Sequence, residues 1–345
     1  MTSQAPAPVG LDEETRASLA HSLSQLFAEH GSGPEIAAAL EDLGWSEVEA
    51  EDAATATRLL FRAQGAALAS TNALSDTMIR SFGPEFPFIE QSTTLLLPHP
   101  ADDATRPGTH KQLGTRGLLL ATPSPDTLVL VPQCHGDRVA LRPVPAEWVI
   151  ERVTRAAGFD PSSTWLLLDT EDPLPDCPGN EPATVDWVAA IALGRRALTS
   201  EILGVCDAAL RIAADHVTTR NQYGRAIGSF QAVRHRVSEA HVAIESASSL
   251  LEAIWAGITS EGWLETPVEW ASAVAKARAG KAQSEVTRTG VQVLGAMGLT
   301  LESSMHRHVT RAAALDLLLG SQARLEESFG AALLSGTTAY PIASI

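Results

Sequence analysis

Four stretches of helical apolar spacing follow one another over roughly 185–217, 228–259, 266–295 and 302–318, and they constrain this chain more than any other feature. In the first, Trp187, Ile191, Leu198, Ile202, Val205, Ala209 and Ile212 recur at intervals that place them on one stripe. A stripe of that length must be covered by other helices. Gly262 and Pro267 break the pattern between the second and third stretches, and all the connections are short. Short connections between long helices predict antiparallel neighbours, so the second half of the chain is expected to be a four-helix bundle.

The first half reads differently. Residues 1–9 are a Pro/Ala lead-in, and helical spacing then covers about 11–30, 35–43, 49–69 and 71–82, closed by Gly83-Pro84. From about residue 90 the texture changes to short apolar runs, "TTLLLPHP", "RGLLLATPSPDTLVLVPQ", "DRVALRPVP" and "STWLLLDTE", bounded by Pro, Gly and Asp. Runs of that kind read as strands, and "EDPLPDCPGNEPA" reads as a linker. The expected fold class is α+β and mainly α. It comprises a helical domain over 1–88, a reduced middle β domain over 89–178 and the four-helix-bundle domain over 179–345.

Charge narrows the function classes. The chain has 25 Lys and Arg against 41 Asp and Glu, a net charge of −16, which argues against a nucleic-acid partner because phosphate contacts need clustered cations. Cys134, Cys177 and Cys206 are far apart and form no C-x-x-C, so neither a zinc site nor a disulfide framework is expected. The N-terminus lacks a basic, then apolar leader, and no apolar run is long enough to span a membrane; a cytoplasmic protein is expected. His306 and His308 are two apart, so on a helix they diverge and no metal site is expected. Trp255, Trp263 and Trp270 near the far turn of the bundle read as packing or subunit-contact residues.

One segment interrupts the helical texture. "TRNQYGRAIGSFQ", residues 219–231, places Arg220, Gln222, Tyr223, Gly224, Arg225, Ile227, Phe230 and Gln231 between the first two long helices. By itself it could be a polar loop with Gly224 as a C-cap. A second segment, "QVLGAMG", follows about 70 residues later with Gln292, Gly295, Ala296 and Gly298. Both segments, in this helix–β–helix order, resemble the acyl-CoA dehydrogenase family, whose patterns are R-x-Q-F-G-x-x-I-x-x-F-Q and Q-x-x-G-G-x-G. The likeness covers 185–320 well, 11–83 weakly and the β unit poorly. It implies an acyl-CoA dehydrogenase fold, FAD as cofactor, and α,β-dehydrogenation of an acyl-CoA substrate, with an electron-transferring flavoprotein as acceptor. In that family these two segments reach across a subunit interface to the neighbour's FAD. By resemblance the cofactor-binding residues are therefore Arg220, Gln222, Tyr223, Ile227, Phe230, Gln231, Gln292, Gly295 and Ala296. A guanidinium fork suits a diphosphate, and amides suit ribose or adenine.

The family's proton-abstracting glutamate has no counterpart here. Its usual position, just before a glycine, holds Leu319 ahead of Gly320, and the alternative position in the first long helix holds Gly194 between Leu193 and Arg195. Glu201 and Asp207, further along, read as solvated or helix-contact carboxylates. The T-E-x-x-x-G-S-D and W-x-[ST] segments that hold the flavin ring are also missing, and Trp165 is followed by Leu166 and Leu167 as in a strand core. A chain that services a neighbour's flavin without holding or using its own resembles the short subunit of actinobacterial α2β2 acyl-CoA dehydrogenases acting on steroid side chains. The implied partner is a full-length acyl-CoA dehydrogenase subunit. Two rivals are a self-sufficient homo-oligomeric dehydrogenase or oxidase with an unrecognised base, and a flavin-free scaffold or regulatory partner.

Overall fold

A computed structural model describes residues 10–32, 35–108, 114–156, 158, 160, 163–259 and 266–336; Trp263 lies outside them. The chain opens with α1 (Glu13–His30), α2 (Glu35–Asp42), α3 (Trp45–Glu51), α4 (Ala53–Ala67) and α5 (Ala73–Arg80). Asp12 starts α1 by accepting the Thr15 N–H at 2.7 Å, satisfying a donor that the first turn leaves open. The single helix expected over 49–69 is two. Asp52 adopts φ −148° and accepts the Thr55 N–H at 2.9 Å, so it ends α3 and caps α4.

Next come β1 (Thr93–Leu95), β2 (Leu97–Pro98), β3 (Thr115–Leu119), β4 (Leu128–His135), β5 (Arg138–Pro145), α6 (Ala146–Ile150), β6 (Val153–Arg155), β7 (Leu166–Thr170) and β8 (Ala183–Val185). They form two four-stranded sheets, β1-β4-β5-β8 and β2-β3-β7-β6, antiparallel apart from the β1–β4 pair. Leu96, Leu119, Val129, Val131, Val144 and Leu168 form a core of their own in this unit. Leu95, Leu97, Leu118, Leu120, Leu130 and Trp165 join the helices in one continuous core. β8 lies beyond the Pro-rich segment read as a linker, and pairs through Val139↔Val185 with β5. The sheet thus runs directly into the first long helix.

That helix, α7 (Trp187–Thr219), is followed by β9 (Asn221–Gln222), β10 (Arg225–Ala226), α8 (Gln231–Thr259), α9 (Val268–Leu294), α10 (Met305–Leu317) and α11 (Gln322–Leu334). Asp186 caps α7 by accepting the Ala189 N–H at 3.0 Å, and its 33 residues extend about 50 Å. α7, α8, α9 and α10 are the expected bundle. α11 is an addition: Ser321 caps it, and Leu325 and Phe329, four apart, seat it on Ala273, Ala277 and Trp270 of α9.

α4 and α7 cross where both are glycine. A Cβ on Gly65 would lie 2.0 Å from the Glu201 carbonyl oxygen, and one on Gly204 would lie 2.0 Å from that of Arg62. The two backbones touch, which fixes how the N-terminal helices sit on the bundle.

Candidate cofactor-facing site

α7 ends at Arg220, which turns extended at φ −73°, ψ 121°. The chain then makes a two-residue hairpin, Arg225 opposite Gln222 and Ala226 opposite Asn221. Its tip is Tyr223 at φ 53° and Gly224 at φ 77°, the two positive angles that a tight type I′ turn needs. Gly224 is therefore the second tip residue of a hairpin rather than a C-cap. The Ile227 N–H returns to the Arg220 carbonyl at 2.8 Å and closes the hairpin base. The Arg225 guanidinium lies 4.1 Å over the Phe230 ring, and Tyr223 meets the same ring edge-on with centroids 6.2 Å apart. Tyr223 is 92% exposed.

The arm is basic and solvent-facing. Between residues 217 and 241 stand Arg220, Arg225, Arg234 and Arg236 against the single carboxylate Glu239, in a chain of net charge −16. All four arginines are exposed, and among the described residues no acceptor takes the Arg220 guanidinium. Gln222 and Gln231 are exposed beside them, with Ile227 and Phe230 half-buried beneath.

The second segment arrives at the same end of the bundle. Arg278 of α9 donates to Ser246 of α8 at 3.2 Å, and Glu285 shares a groove with His235, Ser238 and Glu239. This antiparallel register, carried seven residues or about 10 Å further, puts Gln292 level with the first turn of α8. Gln292, Gly295 and Ala296 are all exposed there. Gly295 ends α9 at φ 62°, and a Cβ on it would meet nothing within 4 Å. The glycine serves the backbone turn and leaves open space in front of it.

The two positions at which a base was sought face each other at the centre of the molecule. Leu319 is 2% exposed, and a Cβ on Gly194 would lie 2.6 Å from Leu319 Cδ1 and 3.0 Å from Met78 Sδ. Hydrocarbon fills the gap, and neither residue can accept a proton. The turn bearing Leu319 is nevertheless held firmly. Lys276 Nζ donates to the carbonyls of Asp316 at 2.9 Å and Gly320 at 3.3 Å, and Arg195 Nε donates to that of Leu319 at 3.0 Å. Burial lowers Arg195 to about 10 and Lys276, despite Asp316 beside it, to about 8. Leu319 itself sits at φ 54°, a left-handed conformation costly for a side chain, and Gly320 follows at φ 104°.

Of the two readings of Glu201, solvated or helix-contact, its burial excludes the first. It is 3% exposed, and burial raises its pKa to about 7 while Gln64 and Arg311 pull it the other way. Arg311, itself buried, donates to Asp160 and, at 2.6 Å, to the Ala69 carbonyl, so α7, α10, the β unit and the α4–α5 connection meet in one polar cluster. Asp207 is a helix contact, paired with Arg62 at 2.7 Å. His306 and His308 each bond a backbone carbonyl of their own helix start, Ser303 and Ser304. Lys276, Arg311 and Asp160 were given no role in the sequence reading, and Arg195 was named only as a neighbour of Gly194. Lys276 left a trace, because Ala273, Ala279 and Gly280, three or four residues from it, make its helix face one of small residues.

Among the described residues no helix is long and apolar enough to cross a membrane. Residues 187–334 match the acyl-CoA dehydrogenase C-terminal domain family. A curated relative, acyl-CoA dehydrogenase IpdE2 of Mycobacterium tuberculosis, is 26% identical over 215 residues, 56% of this chain and 62% of the relative. The match to the Mycolicibacterium smegmatis protein of the same name covers 37% of that relative at 31% identity. This chain thus spans less than two thirds of either. Among solved structures, a chain of the ChsE4-ChsE5 complex from Mycobacterium tuberculosis superposes with a TM-score of 0.75 at 20% identity, covering 95% of this chain and 99% of that one. A chain of the Tcur3481-Tcur3483 steroid ACAD gives 0.73, also at 20% identity, over 94% and 99%. At such identities these two show the fold alone.

Proposed function

We propose that this chain, whose residues 187–334 match the acyl-CoA dehydrogenase C-terminal domain family, is the non-base subunit of a heteromeric, FAD-dependent acyl-CoA dehydrogenase. The observation that carries this reading is an asymmetry between the exposed end of the bundle and its centre. At that end a basic, exposed hairpin offers an Arg220 guanidinium that no acceptor among the described residues takes. At the centre the base positions are closed by Leu319, Gly194 and Met78.

The residues at the exposed end fit a dinucleotide. Arg220 supplies a fork of donors for a diphosphate, Gln222, Gln231 and Gln292 supply amides, and the opening before Gly295 and Ala296 admits a close neighbour. FAD, when bound, supplies the hydride acceptor. This chain's part is to bind and orient the nucleotide end from across a subunit interface, while the base comes from the partner. On its own flavin side, Leu95, Leu118, Leu120 and Trp165 pack into the core instead of framing a ring. The steroid ACAD named for Tcur3481-Tcur3483 favours a bulky, steroid acyl-CoA as substrate, and its two named chains, like those of the ChsE4-ChsE5 complex, favour a second acyl-CoA dehydrogenase subunit as partner. A side-chain thioester and a full-length partner in an α2β2 assembly are what the family resemblance adds. An electron-transferring flavoprotein is the matching acceptor.

The test is flavin absorbance per mole of the chain alone and of the chain co-purified with a full-length acyl-CoA dehydrogenase. We expect flavin only in the complex, near one per heterodimer. Arg220→Ala should remove it at least tenfold, by loss of charge-assisted bonds of about 1.5–3 kcal/mol, while the complex stays assembled. Stoichiometric flavin on the chain alone would end this reading, and flavin retained by the Arg220→Ala complex would favour a scaffold.

A further inference from the structure

Arg195 has a second side. It is only 7% exposed, its Nε is used by the Leu319 carbonyl, and among the described residues its two terminal nitrogens have no hydrogen-bond or ion-pair partner. They are also not sealed in protein, because Arg195 lines a cavity of about 630 Å³ bounded by the start of α7, the start of α9, α11 and the segment after β2. A nearly buried guanidinium with unused donors at the inner end of a cavity is a strong call for an anionic group. The cavity wall beside it is apolar: Trp270 and Phe329 pack with centroids 4.8 Å apart and ring planes tilted by 51°, flanked by Leu325 and Val188.

The remaining lining restricts which anion. Among the described lining residues Arg195 and Arg324 face four carboxylates, Asp102, Asp103, Glu269 and Glu327, a net charge of −2. Asp102 is neutralised by its bidentate pairing with Arg116. Asp103 accepts the backbone and side-chain donors of Thr105 at 2.9 and 2.7 Å, and its charge acts on Arg195 without forming an ion pair with it. Glu269 and Glu327 stay exposed at the rim. A polyanion such as a dinucleotide or a coenzyme A diphosphate would meet these acids, whereas a single negative charge carried inward would pass them. The geometry points to a binding site for a small monocarboxylate with an apolar body, its carboxylate on Arg195 and its body along Trp270 and Phe329. A cavity of this volume accommodates one or two fused rings with room to spare. The site uses none of the residues assigned to flavin and stands whether or not the shared-flavin reading does.

The experiment is calorimetric titration of the full chain with 1-naphthoate, with 1-naphthalenemethanol and pyrophosphate as comparisons. Naphthoate should bind with a sub-millimolar Kd, the neutral alcohol at least about tenfold more weakly, and pyrophosphate not at this site. Arg195→Gln should weaken naphthoate about 10- to 100-fold. Since Arg195 also steadies the Leu319 turn, Val188→Trp provides the second variant. Val188 is 43% exposed at the cavity mouth, so this change blocks entry without touching the turn, and it should abolish binding. No binding to the native chain, equal affinity for the alcohol, undiminished affinity in Val188→Trp, or tighter binding of pyrophosphate displaced by naphthoate would each overturn the assignment.

Discussion

Glu201 shows what burial does to one side chain. Its pKa stands at about 7 against an ordinary 4.5, with burial the largest cause. An acid raised in this way favours the fold fully below pH 4.5, where both states are protonated. That advantage is lost as pH rises to about 7, because only the unfolded chain ionises freely in between. The shift corresponds to about 3 kcal/mol, an order-of-magnitude figure. Glu201→Gln keeps the shape and the bond to Gln64 but removes the titration. Urea midpoints should therefore fall from pH 5 to pH 8 in the native chain and fall less in the variant, which keeps only the contribution of Asp76, raised by burial to about 6, and ends up the more stable at pH 8. Parallel pH dependence in the two proteins would show that Glu201 is not the titrating group. The helical position of this residue was legible in the sequence, but its environment was not. Gln64, Arg311 and Asp160 lie far from it along the chain and converge only in the fold.

At the scale of elements, local patterns were read well and contacts between elements were not. The four helices of the bundle follow from apolar spacing, and the strands from short runs between Pro, Gly and Asp. The break at Asp52 was missed because alanine-rich helix flanks it on both sides, so only its cap bond reveals it. The hairpin was missed because Tyr223 is an uncommon residue at positive φ, although Gly224 beside it was noted. That turn makes a prediction of its own. Gly224→Val places a β-branched side chain at φ 77°, at a cost of about 1–2 kcal/mol. The strain falls on a solvent-exposed arm, so flavin content of the co-purified complex should drop severalfold while the urea midpoint of the chain hardly moves. The α4–α7 crossing behaves in the opposite way. Gly204→Ala drives a methyl group to 2.0 Å from a carbonyl oxygen and should cost at least about 3 kcal/mol in urea unfolding. Gly330→Ala in α11 meets nothing within 4 Å and should be neutral or stabilising by up to about 1 kcal/mol.

Across the whole molecule, the sequence motifs marked the exposed end of the bundle, and the structure supplied the state of its closed centre. Arg220 and Gln292 stand out by pattern because they are polar and exposed where the apolar helical spacing is interrupted. Lys276 and Arg195 were hidden because a buried cation on a helix reads as a solvated one until its carbonyl partners are seen. The negative charge of the chain conceals a positive arm, since four arginines barely register against forty-one acids. The touching glycines of α4 and α7 carry one more consequence, which concerns descent. Neither position can acquire even a methyl group while its opposite helix stays where it is. The N-terminal helices therefore cannot drift as an independent module. Any lineage that altered one of these two positions would have to move the helix across from it in the same step.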